Sequence, residues 1–307
     1  MRNFDHNSGE YLDIDGARIY YEITGNGNSP ALLVLHGGFG NIEDLNTVLS
    51  NIDKEFKVIG IDSRGQGKST LGSKALTYEQ IQKDVERILK HLNIDTVSII
   101  GFSDGGIVAC RLASLTSLKI EKLVTIGSPW HLKHIEPVKE MFLTITGESW
   151  RNKFPANYDA YQKLNPEPDF DVLAQSIVKM WLDTTSSGRP NEAVKNISCP
   201  LLIVRGDDDN LLSREGVFEL SGLVKKSTLL NIPFAGHVAF EDQKEIFMII
   251  LNKFLNDAMI GMRTWASDKD KEEYIQAVRE LFRLNEKVAE TKDHTTTTAT
   301  VQVVQSE

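Results

Sequence analysis

Gly101-Phe102-Ser103-Asp104-Gly105 has the residue types that acyl transfer needs, a hydroxyl nucleophile between small neighbours. It follows the apolar, β-branched run 97–100 directly and precedes a small, apolar helical pattern over 106–114. A serine held between a strand and a helix occupies a strained turn that lifts its Oγ above the sheet, and Gly101, Gly105 and Gly106 leave room for strand and helix to approach. The helix N-terminus behind it favours developing negative charge. A glycine-rich turn with an incidental serine reads the same in isolation, so the motif needs partners elsewhere in the chain.

The partners are present. An acyl-transfer site needs two backbone N–H groups aimed at the tetrahedral oxygen. Asp104, the residue after the serine, supplies one, and Gly38 in Leu35-His36-Gly37-Gly38-Phe39-Gly40 supplies the other. His36 reads as a brace for that loop and not as the base. The base is expected after the last strand, where Pro233-Phe-Ala-Gly236-His237 lies; His6, His91, His131, His134 and His294 read as surface residues. The orienting acid is expected between Ser103 and His237. The strand 122–126 ends in Gly127-Ser128-Pro129, with no acid, whereas the strand 201–205 runs into Gly206-Asp207-Asp208-Asp209. Three adjacent carboxylates also suit a solvated turn or a weak cation site, but the acid has to come from this run. Asp62-Ser-Arg-Gly-Gln-Gly-Lys-Ser69 ends like a phosphate loop, yet Asp62 stands where that motif requires glycine, so it reads as a structural turn.

Positioning these groups takes a sheet whose strands end at one edge. Candidate strands lie at 11–14, 19–23, Ala31–Leu35, Lys57–Ile61, 97–100, 122–126, 201–204 and 228–232. Asp15-Gly16 between the first two predicts a hairpin, and the β-branched character of the others predicts strands covered on both faces. Thr77-Tyr-Glu-Gln80 predicts a capping box ahead of an amphipathic helix carrying Ile81, Val85, Ile88, Leu89 and Leu92, and 240–255 predicts another helix. Residues 130–197 are helical in pattern without a convincing strand, which predicts an inserted lid. Its apolar residues Trp130, Met141, Phe142, Phe154, Tyr158 and Trp181 suit a small or medium, partly hydrophobic substrate, although packing between lid helices accounts for most of them. Residues 267–290 have helical spacing, and 295–305 form a threonine-rich, low-complexity stretch.

Composition narrows the function classes. The 307 residues are 41% hydrophobic and 25% charged, which excludes a wholly disordered chain. A net charge of −9 argues against general nucleic-acid binding. Two cysteines, Cys110 and Cys199, make neither a disulfide framework nor a zinc site. No stretch is apolar for long enough to span a bilayer, and residues 1–10 lack a signal-peptide core, so the expected compartment is the cytoplasm.

Together His36-Gly37-Gly38, the 62–69 turn, Gly101-Phe-Ser-Asp-Gly-Gly106, Gly206-Asp-Asp-Asp209 and Gly236-His237 resemble the α/β-hydrolase superfamily across roughly residues 10–258. The resemblance implies a mostly parallel, eight-stranded sheet with helices on both faces. It divides the chain into a core of 1–129 and 198–262, a helical cap of 130–197, and a C-terminal helix and tail of 263–307. The acid lies three residues past the strand-ending glycine in that family, which implies a catalytic triad of Ser103, Asp209 and His237, with Gly38 and Asp104 as the oxyanion hole. The implied activity is that of a carboxylesterase-like serine hydrolase working without metal or organic cofactor on a small ester-like substrate. Asp104, Phe39 and Trp130 are the expected substrate-contacting residues. The stretch Ser103-Asp-Gly-Gly106 is similar to the valacyclovir-hydrolase-like branch, where the acid after the nucleophile helps select α-amino esters; an Asp104 turned toward neighbouring backbone is the alternative. The same scaffold also runs cofactor-free peroxidation, C–C cleavage and lyase chemistry, or holds a ligand as a slow or non-catalytic receptor. The oligomeric state is not legible.

Overall fold

The computed structural model describes residues 3–52, 55–256 and Gln276, and the chain divides into two units, Met1–Ile260 and Gly261–Glu307. The helical pattern at 267–290 and the threonine-rich stretch therefore lie outside the described residues, except for Gln276, which is helical and exposed.

Eight strands form one sheet: β1 (Glu10–Ile14), β2 (Ala17–Gly25), β3 (Ala31–Leu35), β4 (Lys57–Ile61), β5 (Thr96–Phe102), β6 (Lys119–Ile126), β7 (Leu201–Gly206) and β8 (Ser227–Ile232). Their spatial order is β1-β2-β4-β3-β5-β6-β7-β8. β1 pairs antiparallel with β2, and β2 antiparallel with β4; every later pairing is parallel. The hairpin turns on Asp15 (φ 48°) and Gly16 (φ 78°), both with the positive φ that a type I′ turn requires.

Strand periodicity sends alternate side chains into two cores. Leu33, Leu35, Ile59, Ile61, Leu123 and Ile203 join the cluster shared with α2 (Tyr78–His91) and α3 (Asp104–Leu115). Leu32, Val34, Val58, Val124, Ile126 and Val204 face the opposite cluster. That second cluster also holds Val48 and Leu49 of the one-turn α1 (Asn46–Leu49).

The segment between β6 and β7 carries α4 (Lys139–Leu143), α5 (Gly147–Lys153), α6 (Pro155–Leu164) and α7 (Phe170–Trp181). It contains no strand among the described residues. Phe170, Leu173, Ala174, Ile177 and Met180 make a helical stripe along α7 that is buried in the same cluster as α2 and α3, so this cap shares the core's hydrophobic interior. After β7 come α8 (Arg214–Leu223), then α9 (Ala239–Asp242) and α10 (Lys244–Asn256). None of the described helices is long and apolar enough to cross a membrane.

Two local expectations need correction. The single helix over 240–255 is two helices, because Gln243 (φ −134°, ψ 56°) interrupts it. The Asp242 side chain there reaches back to accept the Gly236 N–H at 2.8 Å. At α2, Thr77 caps the Gln80 N–H at 3.0 Å, but the Gln80 side chain donates forward to Asp84 (3.0 Å), so only half of a capping box forms.

The 62–69 turn is structural, as its sequence implied. Gly67 (φ 51°) admits no side chain, since a Cβ there would lie 2.2 Å from the Asp62 carboxyl. Arg64 is fully buried and makes a two-pronged pair with Asp84, Nε to Oδ2 at 2.9 Å and Nη2 to Oδ1 at 2.7 Å, while Nη2 also donates to the Ile14 carbonyl at 3.0 Å. Burial pushes the Asp84 carboxyl up, against the pull of Arg64 and Gln80. Removing the arginine would strand a buried acid. Arg64→Leu is expected to lower the unfolding free energy by about 3–5 kcal/mol, read by chemical denaturation.

Candidate active site

β5 delivers Ser103 through a turn that the backbone resists. Ser103 has φ 51° and ψ −115°, and α3 starts at the next residue. The strain persists because strand and helix are almost in contact. A Cβ on Gly101 would lie 2.5 Å from the Gly105 carbonyl, one on Gly105 would lie 2.2 Å from the Leu35 carbonyl, and one on Gly106 would lie 1.9 Å from Ser128 Oγ. Only glycine fits at all three positions.

His237 stands over the serine. Its Nε2 is 3.1 Å from Ser103 Oγ, and its Nδ1 is 3.0 Å from Asp209 Oδ2 and 3.2 Å from Oδ1. The three side chains come from the ends of β5 and β7 and the loop after β8, three strand ends at one edge of the sheet. Asp209 is buried and its Oδ1 also accepts from the Leu211 N–H at 2.8 Å, which fixes the carboxylate plane. The other two acids of the run have different surroundings: Asp207 pairs with Arg214 (2.6 Å) and Asn231 (2.9 Å), and Asp208 is exposed. Phe102 backs the imidazole, with ring centroids 5.1 Å apart.

Gly127 admits the imidazole, a role its sequence position did not reveal. Its φ is 58°, and a Cβ there would meet His237 Cε1 and Nδ1 at 3.0 Å each. The sequence showed only that no acid follows β6, whereas the lack of a side chain at Gly127 is what the ring uses.

The loop after β3 lies beside the serine, where a Cβ on Gly37 would be 3.2 Å from Ser103 Cβ. His36 braces it: Nε2 accepts the Ser63 N–H at 2.9 Å, and Nδ1 contacts the Gly37 carbonyl at 2.7 Å. Asp62 supports the next residues, accepting the Ile42 N–H at 2.9 Å and the Lys68 N–H at 2.7 Å. His6 is not a surface residue. It is buried, with Nε2 2.8 Å from Asp62 and Nδ1 2.5 Å from Glu43. Burial pulls its pKa down, but the two carboxylates outweigh that and hold it at about 9. The Asp104 amide opens α3 directly after the serine, where the first N–H groups have no intrahelical acceptor, and Gly38 lies against the Asp104 side chain.

The expected substrate-contacting residues have the following surroundings. Trp130 is 1% exposed, with its indole N–H donating to the Gly216 carbonyl at 2.8 Å, so its polar group is spent within the protein. Phe39 (φ 60°) is buried between loop and cap, with ring centroids 4.0 Å from Trp150 and 5.4 Å from Phe170. The Asp104 carboxylate turns neither to open space nor to backbone. Oδ1 accepts from the Tyr78 hydroxyl at 2.7 Å, and the Trp181 indole donates to Oδ1 and Oδ2 at 2.9 and 2.8 Å. Burial pushes this carboxyl up, while Trp181, Tyr78 and Arg189 pull it down. A cavity of about 710 Å³ between the cap and the start of α2, with Leu76, Leu143, Val178 and Leu182 on its walls, contains none of the residues around Ser103.

Comparison with known proteins agrees with this architecture. Residues 30–162 match the family model for the alpha/beta hydrolase fold. The serine hydrolase BPHL of Homo sapiens is 28% identical over 237 residues, spanning 73% of this chain and 78% of its own. Esterase YbfF of Escherichia coli is 25% identical over 241 residues, spanning 75% and 94%. Among solved structures, the esterase EaEST from Exiguobacterium antarcticum is similar with a TM-score of 0.67 at 20% identity, over 81% of this chain and 99% of its own.

The Gly127 contact makes a direct prediction. Gly127→Ala forces a left-handed alanine against the imidazole and is expected to lower kcat on an activated ester roughly tenfold with little change in KM, since small misplacements of a reacting group are costly. Steady-state kinetics on the purified variant reads this.

Proposed function

We propose that this chain, an α/β hydrolase by fold, cleaves carboxylic esters through an acyl-enzyme on Ser103. The observation that carries the reading is the continuous chain of contacts from Ser103 Oγ to His237 Nε2 and from His237 Nδ1 to Asp209. Ser103 Oγ attacks the ester carbonyl as its proton passes to His237 Nε2. The negative charge that develops on the carbonyl oxygen is met by the Gly38 and Asp104 amides. His237 then gives the proton to the departing alkoxide, and the acyl group stays on Ser103. Water then attacks the acyl-enzyme, losing a proton to His237 Nε2, and His237 returns that proton to Ser103 Oγ as the Oγ–acyl bond breaks and the acid leaves. Throughout, Nδ1–H donates to Asp209, which fixes the tautomer that leaves Nε2 free to accept.

The Asp104 carboxylate already accepts from Tyr78 and Trp181, which favours a neutral acyl group over an α-amino one at this site. A substrate ammonium reaching the Asp104 carboxylate would compete with these donors in a buried setting. The names of the relatives, a serine hydrolase and an esterase, suit the same class of reaction.

Two measurements test the reading. Wild type is expected to be labelled by a fluorophosphonate probe and to hydrolyse p-nitrophenyl esters, with both lost in Ser103→Ala; Asp209→Asn is expected to cost on the order of 10³–10⁴ in kcat, and Asp207→Asn and Asp208→Asn under about tenfold. Labelling that survives Ser103→Ala, or a larger loss at Asp207 than at Asp209, contradicts it. In the second, a neutral ester is expected to exceed its α-amino analogue in kcat/KM by about tenfold or more, because an unpaired cation pays for desolvation. A preference for the amino ester would return Asp104 to the role of ammonium receptor.

A further inference from the structure

Asp104 has two faces. Its amide opens α3 beside Ser103, and its carboxylate, 6% exposed, lies on the other side among donors from both cap and core. Trp181, the last residue of α7, supplies the cap's donor, and Tyr78, the first residue of α2, supplies the core's.

These contacts close into a ring. Arg189, 3% exposed, donates through Nη1 to the Trp181 carbonyl at 2.7 Å and through Nε to the Pro129 carbonyl at 3.0 Å. Its guanidinium lies over the Tyr78 ring, 5.4 Å from the centroid. The path therefore runs from Asp104 to Trp181, on to Arg189, across to Tyr78 and back to Asp104. It holds one carboxyl and one guanidinium, both buried, and the Trp181 N–H and the Tyr78 O–H are both spent on the carboxyl.

The oxyanion loop rests on this ring. A Cβ on Gly38 would lie 2.6 Å from Asp104 Oδ2 and 2.9 Å from Trp181 Cζ2. The two residues proposed as the oxyanion hole are thus in contact through the Asp104 side chain, and the indole closes the contact. A buried carboxylate that loses a donor moves toward another one. Here any such movement shifts Asp104 against Gly38 and against the strained Ser103 before it.

We infer that Trp181 is a positioning residue: through its indole N–H on the Asp104 carboxylate, the cap holds the oxyanion hole in register with Ser103. The inference rests on the serine-hydrolase reading above. It gives the cap a part in the chemical step, beyond covering the substrate.

The test uses the full chain with Trp181→Phe, which keeps an aromatic ring and removes the donor, and Trp181→Gln, which removes the ring and keeps an N–H donor. p-Nitrophenyl acetate supplies kcat and KM, phenylboronic acid supplies affinity for a tetrahedral adduct on Ser103, and thermal melting reports folding. For Trp181→Phe, kcat is expected to fall about tenfold with KM within about twofold, and phenylboronate affinity to fall by the same factor as kcat/KM. Trp181→Gln is expected to recover part of kcat despite the lost ring. The inference is overturned if Trp181→Phe retains its kcat, if the loss falls on KM with boronate affinity unchanged, or if Trp181→Gln is no better than Trp181→Phe. Normal Ser103-dependent turnover in wild type alongside any of these results sinks this inference alone. A wild type without Ser103-dependent turnover sinks the serine-hydrolase reading and this inference with it.

Discussion

At Ser103 the chain leaves β5 and enters α3 with no intervening loop, in a left-handed conformation that a serine adopts only under compulsion. The compulsion is the contact of two regular elements through glycine backbones, with Leu35 at the end of β3 pressed against Gly105. Once that contact is made, the positions of the other groups follow. β3 must end where its loop meets the serine, and β7 must end where Asp209 can reach a histidine arriving after β8. The parallel order β3-β5-β6-β7-β8 satisfies these demands because it brings all of these strands to a close at the same edge. Folding energy from two cores on either side of the sheet holds a turn that local preference would relax.

The cap is bound to this arrangement more closely than its position as an insertion suggests. The buried stripe of α7 belongs to the cluster that also contains Ile107 and Leu112 of α3, so the cap and the helix after Ser103 share a hydrophobic interior. Polar contacts repeat the connection: Asn157 donates to the Phe39 carbonyl at 2.8 Å, and Arg111 of α3 donates to the Gly188 carbonyl at 2.6 Å. Asn165 lies over the 62–69 turn and donates to the Gly67 and Ser69 carbonyls at 3.0 and 2.9 Å. A cap fixed at so many points behaves as a part of the wall and less as a hinged door.

The strands were legible because burial on both faces selects β-branched runs, and each run lies within a few consecutive residues. Ser103, His237 and the aspartate run were legible for a related reason, since each directly follows a strand end and its neighbours in sequence report the turn. The remainder depends on contacts between distant residues. Nothing local to Trp181 marks a partner 77 positions earlier, and nothing at Tyr78, which reads as one more apolar residue of α2, marks its hydroxyl's partner. His6 sits in an unremarkable polar stretch, and its carboxylates arrive from 37 and 56 residues away. Trp130 is the opposite case: an aromatic residue at the start of the inserted segment invites a functional reading, and the sequence does not show that its indole donates to a carbonyl of α8. Gly127 escaped notice because a missing side chain leaves no chemical trace to read.

The burial of His6 ties the beginning of the described chain to the loop after β3. Phe4 is buried in one of the two cores and exchanges hydrogen bonds with Asn46 at 2.9 Å each way, which carries residue 6 in beneath Asp62. Lys68 caps the arrangement from above by donating to the His6 carbonyl. Because the folded pKa of His6, about 9, lies above the ordinary histidine value of 6.5, its contribution is complete below pH 6.5 and disappears as pH rises through 9. Asp62, which accepts the Ile42 N–H, then loses its cation while remaining buried. Alkaline solution therefore acts on a residue far in sequence from Ser103, and the loop after β3 draws part of its order from the beginning of the described chain.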